Sequence, residues 1–449
     1  MREYKTENKR MIITAWGLWS IAALFYFYEI CMRMLPGIMS HDYMIHFKIN
    51  ATQFGSFTAL YYWSYTIMQI PAGLAVDRFS IKNILFSAIA TCLLGFTLVH
   101  FTDNFFIAEI GRFIIGLGSA FAYVSALKVA AVYLPPERFG IASCLLDSLG
   151  MLGALFTSTL LLQVHVHFGS ASCAMLLIIF GIFLLPFVNF LPEVKSRTQR
   201  KETQKSSLRK LDITTTAHQL RNIFTKKNFW LLGFVGALSY LPSSVIGDVW
   251  GVPYLQSAYH LTQDQTSLIL SLFFIAWGIS GPVWGHYSDH FKSRRNPVML
   301  SLIILLLSLA IIVYCPTLIR ESYAISICFF SFTLMGIAAG AHPLIFTMAK
   351  ESFSNEHAGT VVASTNMLVM MGGLIFQPLI GYFLDFNKHA RHAHYYSSAD
   401  YITAFSFLPV CLLLCLVAMS WYKAHTSSNK RSGNNWDFSD ESEEWVLPS

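Results

Sequence analysis

Long apolar runs alternate with short polar segments along the whole chain. Most of these runs approach or exceed the roughly 20 residues that an α-helix needs to cross the hydrocarbon core of a bilayer. The runs are continuously apolar, whereas the strands of a transmembrane barrel would alternate polar and apolar positions, so the pattern predicts helices. The twelve predicted spans are residues 11–36, 51–76, 83–101, 105–133, 139–163, 171–191, 229–256, 265–286, 297–315, 323–349, 358–384 and 401–422.

Composition agrees with this pattern. Hydrophobic residues make up 54% of the chain and charged residues 12%, whereas a soluble domain carries roughly 25% charge. The first apolar run continues to about Leu35 without a small-residue cleavage site, so we interpret it as a retained membrane helix and not as a signal peptide. We therefore expect an all-α integral membrane protein with 12 transmembrane helices.

A polar, basic segment lies halfway along the chain and indicates a division into two bundles of six helices. Ten Lys and Arg residues fall between Leu191 and Asn228. The tail after Thr426 is polar and ends in acidic residues, which predicts disorder. The predicted segments are an N-terminus (1–10), a first bundle (11–191), a basic linker (192–228), a second bundle (229–422) and an acidic tail (423–449).

The distribution of Lys and Arg predicts the orientation. If the N-terminus is cytoplasmic, the cytoplasmic loops and termini hold 24 of these residues and the opposite side holds 4. Cytoplasmic loops are enriched in Lys and Arg, so both termini should be cytoplasmic, in a cell or inner membrane. The net charge of +6 then reflects topology. It gives no reason to expect a nucleic-acid partner.

A short charged motif occurs twice, each time directly after an apolar run that contains Pro. In both copies an Asp follows a Gly after four positions, and cations follow the Asp. The first copy comprises Gly73, Asp77, Arg78 and Lys82, and the second comprises Gly285, Asp289, Arg294 and Arg295. We name these two segments the hinge loops. Their repetition predicts two similar halves.

A second repeat supports the same conclusion. Four pairs of identical or related residues, Glu137/Glu356, Gly140/Gly359, Asp147/Asn366 and Gly153/Gly372, share a separation of 219 residues. One of these pairs is polar in mid-membrane. The pairs predict two structural repeats related by an axis along the membrane normal.

Together these features resemble the major facilitator superfamily over about residues 11–422. A further match is Arg112 with Gly116 in span four, although Ser80 stands where the family's hinge usually has Gly and Asn83 where a second cation is common. The resemblance implies alternating access by rocking of two bundles. It also implies that the hinge loops are gating elements, with Asp77 and Asp289 holding the halves together at the cytoplasmic face.

Some segments resemble one bacterial branch more closely. These are Phe27-Tyr28-Glu29 with Arg33, the segment from Trp250 to Tyr254, and the segment from Gln377 to Asp385. The branch is similar to phagosomal nutrient transporters of intracellular bacteria and, more distantly, to the lysosomal dipeptide transporter. This resemblance implies amino acids, short peptides or nucleosides as substrates.

Ionisable residues inside membrane spans are costly, and they suggest functional sites. Seven occur here: Glu29, Arg33, Glu109, Arg112, Lys128, Asp147 and Asp248. We expect Arg33 and Arg112 to bind a substrate carboxylate or phosphate, because the planar guanidinium binds such groups through two hydrogen bonds. Glu29 and Asp147 are the candidate proton-coupling residues.

The structural alternative is local pairing. Glu29 and Arg33 are spaced i, i+4, and Glu109 and Arg112 are spaced i, i+3, so each pair can neutralise itself along one helix face. Lys128 lies near enough to the interface to extend its amine into water.

Span seven is interrupted by Pro242, Gly247 and Gly251, which predicts a broken or bendable helix. The resemblance implies that such a helix lies beside a central cavity and acts as a gate. Polar and aromatic residues in several spans are further substrate-binding candidates, although each could equally serve packing. They are Tyr62, Tyr240, Trp250 and Asn366.

Other functional classes find little support. Nine His residues are predicted to face outside, and they suggest a solvated loop, a pH sensor or a metal site. No two of these nine are spaced as HxxxH, and no Cys partner supports a metal. The phosphate-binding motif GxxxxGK[ST] is absent from the sequence. We expect no cofactor and no enzymatic activity.

The sequence therefore predicts a monomeric secondary transporter in the lipid bilayer, which takes up a small zwitterionic or anionic nutrient with protons. The alternatives are an exporter of a drug-like compound or siderophore and a membrane sensor that does not transport. Span five contains Gly150 and Gly153 without the Pro that exporters of the family often carry there, which favours uptake.

Overall fold

The computed structural model describes residues 2–191, 220–318, 321–353, 358–393 and 395–422. Every regular element within these ranges is a helix. Most of the predicted linker and the whole predicted acidic tail lie outside the described residues.

The first half contains six long helices. They are α1 (Arg2–Ile38), α2 (Ala51–Arg78), α3 (Ile81–His100), α4 (Phe105–Ser119 and Ala122–Tyr133), α5 (Pro136–Phe156, Thr157–Leu161 and Leu162–Phe168) and α6 (Ser170–Val188). The middle part of α5 has π-helical hydrogen bonding. A short helix, Ser40–His46, follows α1 and was not predicted from the apolar pattern.

The second half also contains six. They are α7 (Lys227–Leu241, Pro242–Trp250 and Gly251–Tyr259), α8 (Gln263–His290), α9 (Arg295–Leu318), α10 (Glu321–Ala339 and Pro343–Glu351), α11 (Ala358–Ala390) and α12 (Ser398–Phe405 and Phe407–Trp421). The interruption that Pro and Gly predict in α7 is present as a π-helical segment, Pro242–Trp250.

Eleven of these helices are long and apolar enough to cross a membrane. The exception is α2, in which Thr, Ser, Tyr and Gln occur throughout an otherwise apolar helix. Its polar residues are buried: Thr58, Ser64, Thr66 and Gln69 are each less than 10% exposed. Ser64 packs against Gly116 of α4 in its own half, whereas Gln69 contacts Asn366 of the other half. Large apolar residues such as Ile179 and Leu307 instead cover the outer surface, where lipid would surround them.

The helix starts reveal the internal repeat. Helices α2 and α8 each have 28 residues. Each begins with a reciprocal capping box. The N-cap side chain accepts a hydrogen bond from the backbone N–H three residues later, and the side chain of that later residue accepts one from the N-cap backbone N–H. The capping pairs are Asn50 with Gln53 and Thr262 with Gln265.

The breaks in α4 and α10 repeat as well. Each break follows a Gly that packs directly on a neighbouring helix of its own half. A Cβ at Gly116 would lie 2.1 Å from Ser64 Oγ on α2, and one at Gly336 would lie 2.3 Å from the Phe273 carbonyl oxygen on α8. The predicted architecture of two pseudo-symmetric six-helix bundles is therefore confirmed.

The two halves meet closely at one end of the molecule, which we call the sealed end and define by Ala51–Gly55 and Gln377–Asp385. There α2 and α11 cross with their backbones in contact. A Cβ at Gly55 would lie 2.5 Å from the Gln377 carbonyl oxygen, and one at Gly381 would lie 2.1 Å from the Ala51 carbonyl oxygen. Glycine is required at both positions because no side chain fits between the helices.

The opposite end, which carries the hinge loops, is the hinge end. A Cβ added at Gly73, Gly140 or Gly285 would meet nothing within 4 Å. Among the described residues, the hydrogen bond between the halves that lies nearest this end joins Asn366 Nδ2 to Gln69 Oε1 at 2.8 Å. The conformation is therefore closed at the sealed end and separated at the hinge end.

Candidate functional site

A charge pair joins the two halves in the middle of the molecule. Arg33 on α1 lies with its Nε 3.5 Å from Oδ2 of Asp248 on α7. The hydroxyl of Tyr62 on α2 donates to the same carboxylate oxygen at 2.5 Å. Asp248 belongs to the π-helical segment that Pro242 begins, so the broken helix positions the carboxylate. We call Arg33, Asp248 and Tyr62 the central triad.

The central triad is buried, but several of its polar atoms have no hydrogen-bond partner among the described residues. Arg33 is 9% exposed and Asp248 is 5% exposed. Arg33 Nε is buried without a hydrogen bond. The terminal nitrogens of Arg33 and Oδ1 of Asp248 also have no hydrogen-bond partner among the described residues, yet they are not enclosed like Nε. These atoms can still receive a ligand.

Glu29 and Arg112 have other partners than the sequence suggested. The hydroxyl of Tyr61 donates to Glu29. Arg112 donates to the carbonyl oxygens of Met32 at 3.0 Å and Arg33 at 2.8 Å, with its guanidinium 5.0 Å from the centre of the Tyr61 ring. Among the described residues, Glu29 does not form an ion pair with Arg33, and Arg112 does not form one with Glu109.

The role of Arg112 follows from a proline. Pro36 lies inside α1 and has no N–H, so the carbonyl of Met32, four residues earlier, loses its helical donor. Arg112 supplies that donor from α4. A buried carbonyl without a partner would be costly, so Arg112 supports the kinked end of α1. Both of its terminal nitrogens are thereby occupied in this conformation.

Asp147 lies apart from the central triad. It is eleven residues from the start of α5, about 16 Å along the helix, and its side chain is nevertheless exposed. Its carboxylate faces the Tyr123 hydroxyl of α4. On the next turn Gly150 packs against the ring of Tyr26 on α1, so this face of α5 is directed into the bundle and away from lipid. Asp147 is therefore exposed on the side of α5 that faces the bundle.

Asn366, the repeat partner of Asp147, contacts the other half. Its amide donates to Gln69 of α2, and the Tyr65 hydroxyl lies beside both amides. The sequence analysis did not single out Gln69, although a Gln in a membrane span was a usable signal. These residues form a polar layer between the central triad and the hinge end.

The two aromatic candidates on α7 have different surroundings. Tyr240 lies near Arg33 and packs against His342, with ring centres 5.2 Å apart. Trp250 is fully buried, packs against Phe54 and donates Nε1 to the Gln377 carbonyl at 3.3 Å. Tyr240 is therefore beside the central triad, whereas Trp250 belongs to the sealed end.

The predicted gating residues of the second half bond within that half. Arg294 Nη1 donates to Asp289 at 2.5 Å and Arg294 Nε to Glu351 at 3.1 Å. Partial burial lowers the pKa of Arg294, but these two carboxylates outweigh burial and raise it overall. Arg295 donates to the carbonyls of Met419 at 3.0 Å and Ser420 at 2.9 Å.

The first hinge loop is described in part. Its Gly73 and Arg78 lie on the last turns of α2, Arg78 is exposed, and Lys82 lies on the first turn of α3. The side chain of Asp77 lies outside the described part of the structure.

The sealed end contains a carboxylate that the sequence analysis did not assign to a role. Asp385, at the end of α11, accepts from Thr52 N at 2.8 Å, Thr52 Oγ1 at 2.6 Å and Ala51 N at 3.4 Å. The Tyr396 hydroxyl donates to it at 2.7 Å. Asp385 thus caps α2 from the other half, where the positive end of the helix dipole favours an anion. Gly381 and Asp385 repeat the Gly-x3-Asp spacing of the hinge loops, which was the available signal.

The described histidines at the end of α11 and in the loop after it do not form a metal site. No group of three His, Cys, Asp or Glu with suitable geometry occurs among the described residues. His389 instead bonds through Nδ1 to the Asp385 carbonyl oxygen at 2.6 Å. His394 lies outside the described residues.

Two bundles of six membrane helices, with a buried charge pair between them, are the architecture of a membrane transporter. The family model of the Major Facilitator Superfamily matches residues 18–247 and 232–445. The chain belongs to this superfamily.

Its relatives are transporters. The chain is 25% identical over 357 residues to the uncharacterized transporter YybO of Bacillus subtilis (strain 168), covering 76% of this chain and 80% of the relative. It is 22% identical over 392 residues to the probable sulfoacetate transporter SauU of Cupriavidus necator, covering 84% and 89%. A shorter match, 27% over 107 residues, covers 22% of this chain and 24% of the probable galactarate/D-glucarate transporter GarP of Escherichia coli (strain K12).

Solved structures share the fold. A bacterial homologue of the human lysosomal transporter Spinster, in an inward-facing and unoccupied conformation, aligns with a TM-score of 0.69 at 13% identity and covers 90% of this chain and 97% of that chain. A D-xylose-proton symporter aligns with a TM-score of 0.68 at 14% identity and covers 91% and 97%.

Proposed function

We propose that this transporter takes up a small zwitterionic or anionic nutrient together with protons, and that the anionic group of the substrate binds Arg33. The observation that carries the proposal is the guanidinium of Arg33, which lies between the two halves with its terminal nitrogens lacking hydrogen-bond partners among the described residues.

The chemistry of this group favours an anion. A buried cation is costly unless it is paired and hydrogen-bonded, and Arg33 has one ion-pair contact at 3.5 Å without a hydrogen bond. A planar guanidinium with free nitrogens can bind a carboxylate or sulfonate through two parallel hydrogen bonds. Such a ligand would complete the coordination that the protein leaves open.

The relatives point to the same class of substrate. Their names include sulfoacetate and galactarate or D-glucarate, which are organic anions. Amino acids and short peptides also carry a carboxylate that could bind Arg33. Nucleosides do not, so the site favours them least among the substrates that the sequence suggested.

Intramembrane carboxylates support proton coupling. Glu29 is buried beside Tyr61, and Asp147 is exposed on the bundle-facing side of α5. A carboxyl group in such a position can bind a proton from one side and release it to the other as the halves rock. We propose these two residues as members of the proton path.

The orientation follows from charge. The hinge end carries the basic loops, and we propose that it faces the cytoplasm of a bacterial cell, with the membrane being the inner membrane. The present conformation is then inward-facing, and substrate leaves through the hinge end.

Uptake by proteoliposomes tests the proposal. We would measure entry of radiolabelled D-glucarate, sulfoacetate, L-alanine and glycylglycine, with uridine as a compound without an anionic group. We expect at least one of the first four to accumulate when the outside is acidic, and we expect Arg33→Ala to abolish that uptake.

The matched control is Arg138→Gln, which removes an exposed Arg at the start of α5 and should leave uptake unchanged. Uptake of uridine alone, or full uptake by a folded Arg33→Ala protein, would contradict binding at Arg33. Accumulation that persists after collapse of the proton gradient would contradict proton coupling.

A further inference from the structure

We infer that Asp248 is an internal substitute for the substrate: its carboxylate occupies Arg33 when the site is empty, and it gives up Arg33 to the anionic group of the substrate on binding a proton. This inference rests on the proposed function, and it assigns the coupling of proton and substrate to the central triad.

The geometry already shows a weak and replaceable pair. The contact between Arg33 Nε and Asp248 Oδ2 is 3.5 Å long and includes no hydrogen bond. The strong contact of Asp248 is the one with Tyr62, at 2.5 Å. When the two residues separate, Asp248 therefore keeps a hydrogen-bond partner in Tyr62. Arg33 can then turn its open nitrogens to a ligand.

Charge balance explains why a proton must accompany the ligand. Four buried charged residues lie in this region, and their formal charges cancel: Glu29 and Asp248 against Arg33 and Arg112. An added anionic group would leave one negative charge in excess in a medium of low dielectric constant. Protonation of one carboxyl group removes that excess.

Asp248 is the carboxyl group whose protonation also frees the binding site. Glu29 is held by Tyr61 and makes no ion pair within 4.0 Å among the described residues. Neutralising Glu29 would restore the charge balance but would leave Arg33 facing the charged Asp248. Neutralising Asp248 achieves both effects at once.

The groups that face Asp248 come from several helices. They are Arg33 and Glu29 on α1, Tyr62 on α2, Arg112 on α4 and Tyr240 on α7 itself. From α8, the rings of Phe273 and Phe274 pack at the neighbouring Gly247 and contribute no charge. Of these groups, Arg33 is the cation in direct contact with the carboxylate.

The pair also connects the halves. Arg33 and Tyr62 belong to the first half and Asp248 to the second, and Gly37 of α1 packs on the backbone of Asp248, where a Cβ would lie 2.2 Å from its carbonyl oxygen. A change in the contact between Arg33 and Asp248 therefore acts where α1 and α7 are packed together. Release of substrate at the hinge end lets Arg33 pair with Asp248 again, and the proton leaves Asp248 to the same side.

Proton uptake on binding tests the inference. We would mix purified full-length protein in weakly buffered detergent solution with D-glucarate or sulfoacetate, whichever the wild type binds, and follow the pH with an indicator dye. We expect wild type to take up about one proton per bound molecule, with an apparent Kd that rises about tenfold per pH unit at high pH. We expect Asp248→Asn to take up none and to bind with a Kd independent of pH.

Glu109→Gln is the matched control, because Glu109 is an intramembrane carboxylate outside the proposed proton path, and it should keep the proton uptake of wild type. Glu29→Gln and Asp147→Asn test the two other proposed proton carriers. If Asp248→Asn still takes up a proton while one of these variants does not, the inference is wrong and the proposed function stands. Binding by wild type without proton uptake would also overturn it. If neither compound binds wild type but L-alanine or glycylglycine does, the inference is overturned and the proposed function stands, because those two substrates bring their own ammonium group. If none of the four compounds binds, the proposed function falls and the inference with it.

Should Asp248→Asn fail to fold, Tyr62→Phe provides a second test. It removes the donor that holds the charged form of Asp248 and keeps the ring. It should shift the pH dependence of Kd to higher pH, and an unchanged profile would contradict the inference.

Discussion

The sealed end and the hinge end contain the same short pattern, a Gly followed four residues later by Asp, but they use it differently. At the sealed end, Gly381 allows α11 to touch α2, and Asp385 caps the first turn of α2 across the two halves. At the hinge end, a Cβ added at Gly285 would meet nothing within 4 Å, and Asp289 bonds to Arg294 of its own half.

The difference shows that the contacts of one motif depend on whether the two halves meet at its end of the molecule. A carboxylate at the end of one helix can cap the start of another only when the helices meet. In the present conformation the contact across the halves exists at the sealed end, and the corresponding hinge-end contact is replaced by one within a half. We expect the two ends to exchange these roles in the opposite conformation.

The largest effect is expected from Gly381→Ala. Its Cβ would lie 2.1 Å from the Ala51 carbonyl oxygen, so the sealed end must move apart, at a cost of about 1–3 kcal/mol. The protein should shift toward opening at the sealed end. Distances between spin labels at exposed positions 45 and 390, in a background lacking exposed Cys144, would measure the shift.

Gly285→Ala is the control for that experiment, because a Cβ there would meet nothing within 4 Å. It should leave the present conformation unchanged and instead disfavour closure of the hinge end. If both variants move the sealed-end labels equally, the contrast between the two ends is not caused by local packing.

Asp385→Asn should have the next largest effect. The variant keeps the size of the side chain but replaces a charged cap of α2 by a neutral one, which should cost about 1 kcal/mol. We expect a roughly fivefold increase in the population open at the sealed end. Tyr396→Phe removes one donor to the same carboxylate and should produce a smaller shift in the same direction; a shift toward the closed state would contradict the capping role.

Asn366→Ala probes the boundary between the two ends. It removes the hydrogen bond to Gln69 across the halves, worth about 0.5–1.5 kcal/mol. The labels at the sealed end should move less than in Asp385→Asn. Gln69→Ala removes the same hydrogen bond and should move the labels by the same amount as Asn366→Ala. Unequal effects of the two variants would show that one of the two amides has a separate role in binding.

The smallest effect on the present conformation is expected from Arg294→Gln. Its ion pairs with Asp289 and Glu351 are partly exposed and lie within one half, and such pairs contribute about 0–1 kcal/mol. Thermal unfolding should change little, whereas transport should slow if the residue holds the hinge end closed in the opposite state. A large loss of thermal stability would place Arg294 in the structural core instead.

The fold could be predicted because its cause is local. Continuous apolar runs can cross a bilayer only as helices, and the repeated hinge loops and the paired positions around Asp147 and Asn366 indicate two similar halves. Even the interruption of α7 follows from Pro242 and its glycines. The polarity of α2 was visible in the sequence as well, but its reason, burial against α4 of its own half and α11 of the other half, was not.

The residues of the candidate site could be predicted from the sequence, but the residues that they contact could not. The sequence identifies Arg33, Asp248 and Glu29 as intramembrane charges, since each stands out within an apolar run. Helical spacing then suggests that Arg33 pairs with Glu29, one turn away. The structure instead pairs Arg33 with Asp248, more than two hundred residues away in the chain.

The sequence by itself therefore determined the membrane helices, the two-fold repeat and the superfamily, because bilayer thickness and helix periodicity act on neighbouring residues. Only the tertiary structure decided that Arg112 supports the carbonyl freed by Pro36, that Asp385 caps α2, and that Arg33 faces Asp248. Each of these contacts joins helices that are distant in the chain. Their geometry depends on how the two bundles pack and on which end is closed, and spacing along one helix carries no information about either.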